Sequence, residues 1–266
     1  MSTPLITNTE ALLASLKLKA MQNAFTKVAE EKAPWDPIAY LYELAQREQD
    51  YRQQKRINTL LKKAKLPRDK SIESFDFKRF PDLHPGLIKR LCEGEFLDRL
   101  ENLLLFGNPG TGKTHLAIAL SKEWCLRGRR VLYTTAAQLV QSLLEAKKNI
   151  QLNQYIKKLQ SYESLIIDDI SYVPYAREEV DVLFLLLSER YEQRSTIITS
   201  NIAFSDWHSI FKDEMTTAAA IDRLVHHSII LELNAESYRM TSAKQELIAK
   251  KENKKEEIKE KINAEK

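Results

Sequence analysis

The feature that most constrains this chain is a glycine-rich octapeptide, residues 107–114, which lies between two apolar segments. The segment before it, residues 103–106, is predicted to be a strand, and residues 115–120 have the apolar pattern of a helix. Strand, glycine-rich loop and helix in this order are the context of a phosphate-binding loop. Three of the six glycines in the chain lie in this octapeptide, so a chance match in an ordinary turn is a poor explanation.

The loop is therefore expected to bind a nucleotide, with ATP and Mg²⁺ as the ligands. In such loops backbone N–H groups surround the phosphates, the lysine reaches the β- and γ-phosphates, and the following hydroxyl binds Mg²⁺. Lys113 and Thr114 occupy these two positions. The predicted nucleotide-binding residues are Gly107, Asn108, Pro109, Gly110, Thr111, Gly112, Lys113, Thr114 and His115.

Two carboxylates follow a second apolar segment, residues 165–167, which is also predicted to be a strand. Side chains that follow a parallel strand face the ligand crevice at the carboxyl edge of the sheet. Asp168 is expected to hold Mg²⁺, and Asp169 to orient or deprotonate a water molecule. Alone, this pattern is more typical of a strand followed by a capped turn, but the phosphate-binding loop upstream favours the functional interpretation.

A polar residue follows a third predicted strand, residues 196–199. Asn201 carries an amide that both donates and accepts hydrogen bonds, which suits a contact with a γ-phosphate or an attacking water. Residues 131–134 are predicted to form another strand, between the loop and the acidic motif, and residues 229–231 the last one. Alternation of strands and helices predicts an α/β domain with a parallel sheet flanked by helices.

Composition places the chain among globular proteins, with 266 residues of which 43% are hydrophobic and 29% charged. No apolar run approaches the roughly 18 residues of a membrane span, and residues 1–4 lack the features of a signal peptide. The two cysteines, Cys92 and Cys125, have no metal-type spacing. We therefore expect a cytoplasmic protein without a membrane partner.

Three parts are predicted along the chain: a small all-helical N-terminal domain, residues 1–70; the α/β domain, residues 71–242; and a charged tail, residues 243–266, that is helical or disordered. Asp36 and Pro37 are expected to cap and begin a long helix. Residues 71–102 are expected to be an extended connector. The helical domain is predicted to bind DNA or a partner.

The end of the helical domain is strongly basic. Residues 47–70 contain nine basic and three acidic residues, an excess larger than the net charge of +4 on the whole protein. Such a helix can follow a phosphate backbone, although a solvated helix face is the plain alternative. The predicted DNA-binding residues are Arg47, Arg52, Lys55, Arg56, Lys62 and Lys63.

Together these motifs resemble the AAA+ ATPases, and more specifically the IstB family, the transposition helper ATPases of insertion sequences, which are similar to the helicase loader DnaC. The matching segments are residues 107–114, 164–169, 195–201, 221–224 and 236–239, and the run from residue 60 to residue 67 in the helical domain. That run, Leu-Leu-Lys-Lys-Ala-Lys-Leu-Pro ahead of an AAA+ core, narrows the choice to the IstB family. The resemblance covers about residues 8–242.

The resemblance implies a P-loop AAA+ NTPase core that hydrolyses ATP and assembles into a homo-oligomer on duplex DNA. It implies that Arg223 is an arginine finger for the neighbouring subunit and that Arg239 is a second sensor. Lys113, Asp169, Asn201 and Arg223 would then be the catalytic residues. The implied role is to select target DNA and to recruit or stimulate a transposase.

The chain departs from the AAA+ pattern at Asp169, where a glutamate is common, so a slow turnover is expected. Two other functions remain open at this point. One is a DnaC-like loader of a replicative helicase, in which the helical domain binds the helicase. The other is a nucleotide switch that binds ATP without hydrolysing it.

Overall fold

The computed structural model describes residues 3–31, 36–67, 69–171, 176–207 and 214–238. The chain divides into two compact units, Met1–Leu60 and Leu61–Lys266, and the division falls within one long helix. The predicted tail, residues 243–266, lies outside the described residues.

The described part of the first unit is helical. Its helices are α1 (Thr3–Ser15), α2 (Lys19–Glu31) and the greater part of α3 (Pro37–Ala64). Its core consists of four buried side chains, Ala24, Phe25, Val28 and Leu44. The carboxylate of Asp36 accepts hydrogen bonds from the N–H groups of Ile38 and Ala39, both at 3.4 Å, which confirms the predicted cap of α3.

A buried glutamate caps the first turn of α2. Glu48 of α3 is 4% exposed, and its Oε2 accepts hydrogen bonds from the N–H groups of Ala20, at 2.8 Å, and Met21, at 3.3 Å. These N–H groups belong to the first turn of α2 and have no acceptor within their own helix. Glu48 therefore caps α2 from another helix.

The second unit contains a sheet of five parallel strands in the order β2-β3-β4-β1-β5. The strands are β1 (Asn102–Phe106), β2 (Val131–Thr135), β3 (Ser164–Asp168), β4 (Ser195–Ser200) and β5 (Ser228–Glu232). All five strands predicted from apolar runs are confirmed. The order places β1, which precedes the glycine-rich loop, between β4 and β5, so the polar residues after β3 and β4 lie at the same edge of the sheet as the loop.

Helices cover both faces of the sheet, as is usual for parallel sheets, and β1, β3 and β4 are buried along their whole length. Further helices of this unit are α4 (Pro85–Glu93), α5 (Glu95–Asp98), α6 (Lys113–Leu126), α7 (Ala136–Lys148), α8 (Leu152–Gln160), α9 (Arg177–Arg190) and α10 (Glu214–Val225). Leu104, Ile167 and Ile198 share a core with side chains of α7, α8, α9 and α10. The alternate residues Leu103 and Ile166 are completely buried as well, and α6 contacts β1, β2 and β4.

The expectation of an extended connector at residues 71–102 is wrong. This segment contains a 3₁₀ turn, Phe77–Arg79, and the helices α4 and α5. The signals for α4 are present in the sequence: His84 accepts a hydrogen bond from the N–H of Gly86, Pro85 begins the helix, and Gly94 ends it with a φ of 77°. Phe75, Phe77 and Phe80 alternate with polar neighbours ahead of these signals, which indicated an extended backbone, and the helix signals were therefore missed.

Among the residues that the structure describes, we find no helix that is both long enough and apolar enough to cross a membrane.

Candidate nucleotide-binding site

The glycine-rich loop connects β1 to α6, and two of its positions require glycine. Gly110 and Gly112 have φ values of 81° and 105°, a region that disfavours residues with a Cβ atom. A Cβ atom on Gly110 would also collide with the side chain of Ser237, and one on Gly112 would lie 3.1 Å from the ring of Phe75. Other segments of the chain thus contact the loop directly at these two positions.

Lys113, the first residue of α6, turns its side chain back into the loop. Its Nζ donates hydrogen bonds to the carbonyl oxygens of Gly107, at 2.6 Å, and Asn108, at 2.9 Å, and the residue is 6% exposed. The ammonium group therefore lies among the loop carbonyls at the positive end of the α6 dipole. A cation in this place suits the phosphates of a nucleotide.

Asp168 receives hydrogen bonds from three hydroxyl groups. Its Oδ1 accepts from Thr114 Oγ1 at 2.8 Å and from Thr199 Oγ1 at 2.7 Å, and its Oδ2 accepts from the Tyr133 hydroxyl at 2.8 Å. The residues predicted to hold Mg²⁺, Thr114 and Asp168, are therefore in direct contact. Carboxylate and hydroxyl oxygens are hard ligands that fit this cation.

Asp169, the residue after β3, faces the predicted sensor residue. Its backbone has a φ of 59°, and its N–H donates to Thr199 Oγ1 at 2.8 Å. Asn201 donates from Nδ2 to Asp169 Oδ1 at 2.9 Å, and its own N–H donates to Ser171 Oγ at 2.9 Å. The two polar residues predicted from separate strands thus meet at one edge of the sheet.

A cleft of about 330 Å³ opens beside these residues at the carboxyl edge of β1, β4 and β5. It is lined by loop residues, including Asn108, and by Asn201 and Asn234. Polar side chains from three different connections therefore face the same space, which is accessible from outside.

Two short segments pack against the loop and α6. His115 Nε2 lies 3.0 Å from the carbonyl oxygen of Ser71 and 3.1 Å from Ser74 Oγ, and its ring meets that of Phe75 edge-on at 5.4 Å. On the other side, the N–H of Tyr238 donates to the Gly110 carbonyl oxygen at 2.9 Å. His115, which was predicted to contact the nucleotide, thus joins the loop helix to residues 71–75.

Arg79, a few residues after Phe75, joins this part of the chain to residues 236–238. Its guanidinium donates a hydrogen bond to the carbonyl oxygen of Glu236 and lies 5.4 Å from the ring centre of Tyr238. Arg239, the predicted second sensor, lies outside the described residues.

Arg223 is partly buried in α10, where its Nη1 donates to the Ala219 carbonyl oxygen at 3.1 Å. Its Cζ lies 5.0 Å from the ring centre of Phe184. These contacts are with α9 and with its own helix, and neither involves the glycine-rich loop of the same chain.

The residues predicted to bind DNA divide into two groups. Arg47 and Arg52 form ion pairs with Glu43, at 2.9 Å, and Glu48, at 2.8 Å, each one turn earlier in α3. The other four side chains are exposed: Lys55, Arg56, Lys62 and Lys63.

Sequence reasoning missed three residues that shape this site: Tyr133, Thr199 and Tyr238. Thr199 and Tyr133 lie in strands that were predicted correctly, and both are near the carboxyl ends where ligand-facing side chains concentrate. Their position near the carboxyl ends of strands was the available signal in the sequence. Only the strand pairing shows that both side chains reach Asp168.

Comparisons with known proteins identify relatives of this chain. The family model for IstB-like ATP-binding proteins matches residues 11–246. An insertion-sequence ATP-binding protein of Sinorhizobium fredii is 40% identical over 235 residues, which cover 87% of this chain and 79% of that protein. The ATP-binding protein of insertion sequence IS21 from Pseudomonas aeruginosa is 38% identical and matches 87% of this chain and 88% of its own length.

A solved structure supports the fold alone. The structure of AMPPCP-bound DnaA from Aquifex aeolicus superimposes with a TM-score of 0.54 at 22% identity, covering 70% of this chain and 56% of that one. This likeness and the parallel sheet with its flanking helices confirm the predicted α/β fold. With the family match spanning most of its length, the chain belongs to the IstB-like ATP-binding proteins.

Proposed function

We propose that this protein is a Mg²⁺-dependent ATPase of the cytoplasm that assembles on duplex DNA and assists the transposase of its insertion sequence. The observation that carries the hydrolytic part is the pair of carboxylates after β3. Asp168 is hydrogen-bonded to Thr114 of the loop helix, and Asp169 to Asn201. The link to transposition rests on the relatives, which are named as insertion-sequence ATP-binding proteins.

Hydrolysis of a γ-phosphate depends on positioning and charge stabilisation, and the site offers residues for each part. Lys113 and the loop N–H groups would bind the phosphates. Thr114 and Asp168 would hold Mg²⁺, which neutralises phosphate charge when bound. Asp169 would orient the attacking water or accept its proton, and Asn201 would hold Asp169 and contact the γ-phosphate or the water.

Assembly would complete the site. Arg223 contacts Ala219 of its own helix and the ring of Phe184, and on release from these contacts it would serve as a finger that reaches the nucleotide of a neighbouring subunit. Arg239 would contact the nucleotide of its own subunit. Basic side chains of α3 would contact DNA phosphates, and repeated weak contacts in an oligomer would give high affinity with little sequence preference.

The test is the mass of the particles by light scattering with ATP and Mg²⁺, with and without duplex DNA, for the wild type and for Lys113→Ala. Large particles that need ATP, DNA and Lys113 would support the proposal. A wild-type protein that stays monomeric in every condition would exclude the intersubunit role of Arg223.

Two measurements separate the alternatives. A nucleotide switch would bind ATP tightly and release phosphate no faster than the background rate, whereas the proposed ATPase releases it in an Asp169-dependent manner. A helicase loader would bind a replicative helicase in preference to the transposase, which a direct comparison of the two partners would reveal.

A further inference from the structure

We propose that Tyr133 is a positioning residue for the metal-binding carboxylate: its hydroxyl holds Asp168 in the orientation that binds Mg²⁺ together with Thr114. The inference rests on the proposed ATPase function. Neither the sequence motifs nor the family match assigns a role to this tyrosine, which lies on β2 outside the two motifs that bind nucleotide.

The strand pairing explains why the tyrosine reaches the aspartate. Tyr133 is the register partner of Ile166 on β3, and Asp168 lies two residues further along that strand. Because side chains two residues apart share one face of a strand, Tyr133 and Asp168 lie on the same face of the sheet. The long phenol can then extend towards the carboxyl edge, where its hydroxyl meets Asp168 Oδ2 at 2.8 Å.

Tyr133 binds a different oxygen of Asp168 from the two threonines. Thr114 and Thr199 both donate to Oδ1, and Tyr133 is the donor to Oδ2. A carboxylate that is held at both oxygens cannot rotate about its Cβ–Cγ bond without losing hydrogen bonds. The tyrosine thus fixes the angle at which Oδ1 faces Thr114.

The three donors are neutral, which matters for a cation site. In the part of the chain that the structure describes, the hydrogen bonds and ion pairs of Asp168 involve hydroxyl groups and no lysine or arginine. A basic partner would compensate the charge of the carboxylate and so compete with Mg²⁺. Hydroxyl donors orient the carboxylate but leave its negative charge available to a metal ion.

The environment keeps the tyrosine in its donor form. Burial, together with the nearby negative charges of Asp168 and Asp169, raises the pKa of Tyr133 well above its ordinary value. The shift opposes loss of the phenol proton and so favours the form of Tyr133 that donates to Asp168.

The test is Tyr133→Phe, which removes the hydroxyl and keeps the ring. Tyr155→Phe is the matched control, because Tyr155 and Tyr133 line the same cleft of about 530 Å³. For each variant we would measure phosphate release against free Mg²⁺ at saturating ATP, and ADP affinity in EDTA. We expect the half-saturating Mg²⁺ concentration of Tyr133→Phe to rise about tenfold, the equivalent of one hydrogen bond to a charged group, with no change in Tyr155→Phe.

The affinity for ADP in EDTA separates positioning from packing. It should be unchanged in Tyr133→Phe, since no metal is bound in that assay. An unchanged Mg²⁺ requirement, or equal losses of ADP affinity and of activity at every Mg²⁺ concentration, would overturn the proposal.

A second readout keeps this inference apart from the proposed function. Binding of Mn²⁺ to the ADP complex, followed by electron paramagnetic resonance, needs no hydrolysis. If the wild type released no phosphate, the ATPase proposal would fail, yet weaker Mn²⁺ binding in Tyr133→Phe than in the wild type would still support the positioning role. Equal Mn²⁺ binding in the two proteins would overturn it.

Discussion

Asn201 donates a hydrogen bond from Nδ2 to Asp169 Oδ1 at 2.9 Å, although the two residues are 32 positions apart in the chain. Asp169 also has a left-handed backbone, with a φ of 59°, which costs a non-glycine residue about 1–2 kcal/mol. The hydrogen bond from its N–H to Thr199 Oγ1 helps to hold that conformation. The end of β4 therefore fixes both the backbone and the carboxylate of the residue proposed to act on water.

Asn201→Ala should slow ATP hydrolysis while leaving nucleotide binding nearly intact. Without the amide, the hydrogen bond that orients Asp169 Oδ1 is lost, and we expect the rate of phosphate release to fall about 100-fold, in the range for loss of general acid–base positioning. Steady-state phosphate release and ADP affinity would be measured in parallel. Asn234→Ala is the control, because Asn234 lines the same cleft and its side chain donates a hydrogen bond to Glu232. If Asn201→Ala weakened ADP binding as much as it slowed hydrolysis, Asn201 would be a nucleotide-binding residue instead.

Gly110→Ala should weaken ATP binding without unfolding the protein. Gly110 has a φ of 81°, and an added Cβ atom would collide with Ser237, so the loop must move at the point where it is expected to surround phosphates. We expect at least a tenfold loss of ATP affinity, since the strain of a left-handed alanine alone is about 1–2 kcal/mol. Isothermal titration calorimetry would measure it.

Two further variants divide that loss into its causes. Gly128 lies beyond the C-terminal end of α6 and has a similar φ, 85°. Gly128→Ala should therefore leave ATP affinity unchanged. The double variant Gly110→Ala, Ser237→Gly removes the collision but keeps the backbone strain, so it should recover part of the affinity. No recovery would show that residues 236–238 do not restrict the loop.

Local patterns were sufficient to predict the sheet and the loop, but not the contacts that connect them. Apolar runs located all five strands, and Asp36 with Pro37 located the start of α3, because these signals act within a few residues. The contact of Tyr133 with Asp168 depends on strand pairing across 35 residues, which no local pattern encodes. The same holds for Glu48, whose role as a cap for α2 depends on how two helices pack.

Glu48→Ala should destabilise the first unit. The substitution leaves the N–H groups of Ala20 and Met21 without their acceptor and removes the partner of Arg52, a loss of about 2–4 kcal/mol for a buried, charge-assisted cap. Hydrogen exchange of the peptides from Lys19–Glu31 would locate the effect. Glu43→Ala is the control, because Glu43 forms an exposed ion pair with Arg47. This substitution should lower the free energy of unfolding by about 0.5 kcal/mol or less.

The contribution of Glu48 should also depend on pH. Burial acts to raise the pKa of Glu48, but hydrogen bonds from Arg52 and from the N–H groups of Ala20 and Met21 outweigh it and lower that pKa below its ordinary value of 4.5. The unfolded chain then binds the proton more readily, so the stabilisation is complete above the ordinary pKa and is lost as the pH falls through the lowered one. The difference in urea stability between wild type and Glu48→Ala should therefore shrink at pH 3. A difference that stays constant from pH 7 to pH 3 would contradict this assignment.

The salt dependence of DNA binding should fall when the exposed cations of α3 are neutralised. Lys55 and Arg56 are both exposed, whereas Arg52 is paired with Glu48, so these two are the better candidates for phosphate contacts. Each phosphate contact contributes about 0.9 to the slope of log K against log salt, so Lys55→Gln, Arg56→Gln should reduce the slope by about 2 per subunit. Fluorescence anisotropy with duplex DNA over a range of salt would measure it.

The control for this experiment is Lys157→Gln, Lys158→Gln, which removes the same charge from two exposed neighbours on α8. A fall in slope for the α3 variant alone would support a local DNA contact, because a general effect of net charge would appear in both. Equal falls would attribute DNA binding to the overall charge of the protein, and an unchanged slope in the α3 variant would remove Lys55 and Arg56 from the interface. Since an oligomer multiplies each subunit's contacts, the comparison is made at ATP concentrations that give the same particle mass for both variants.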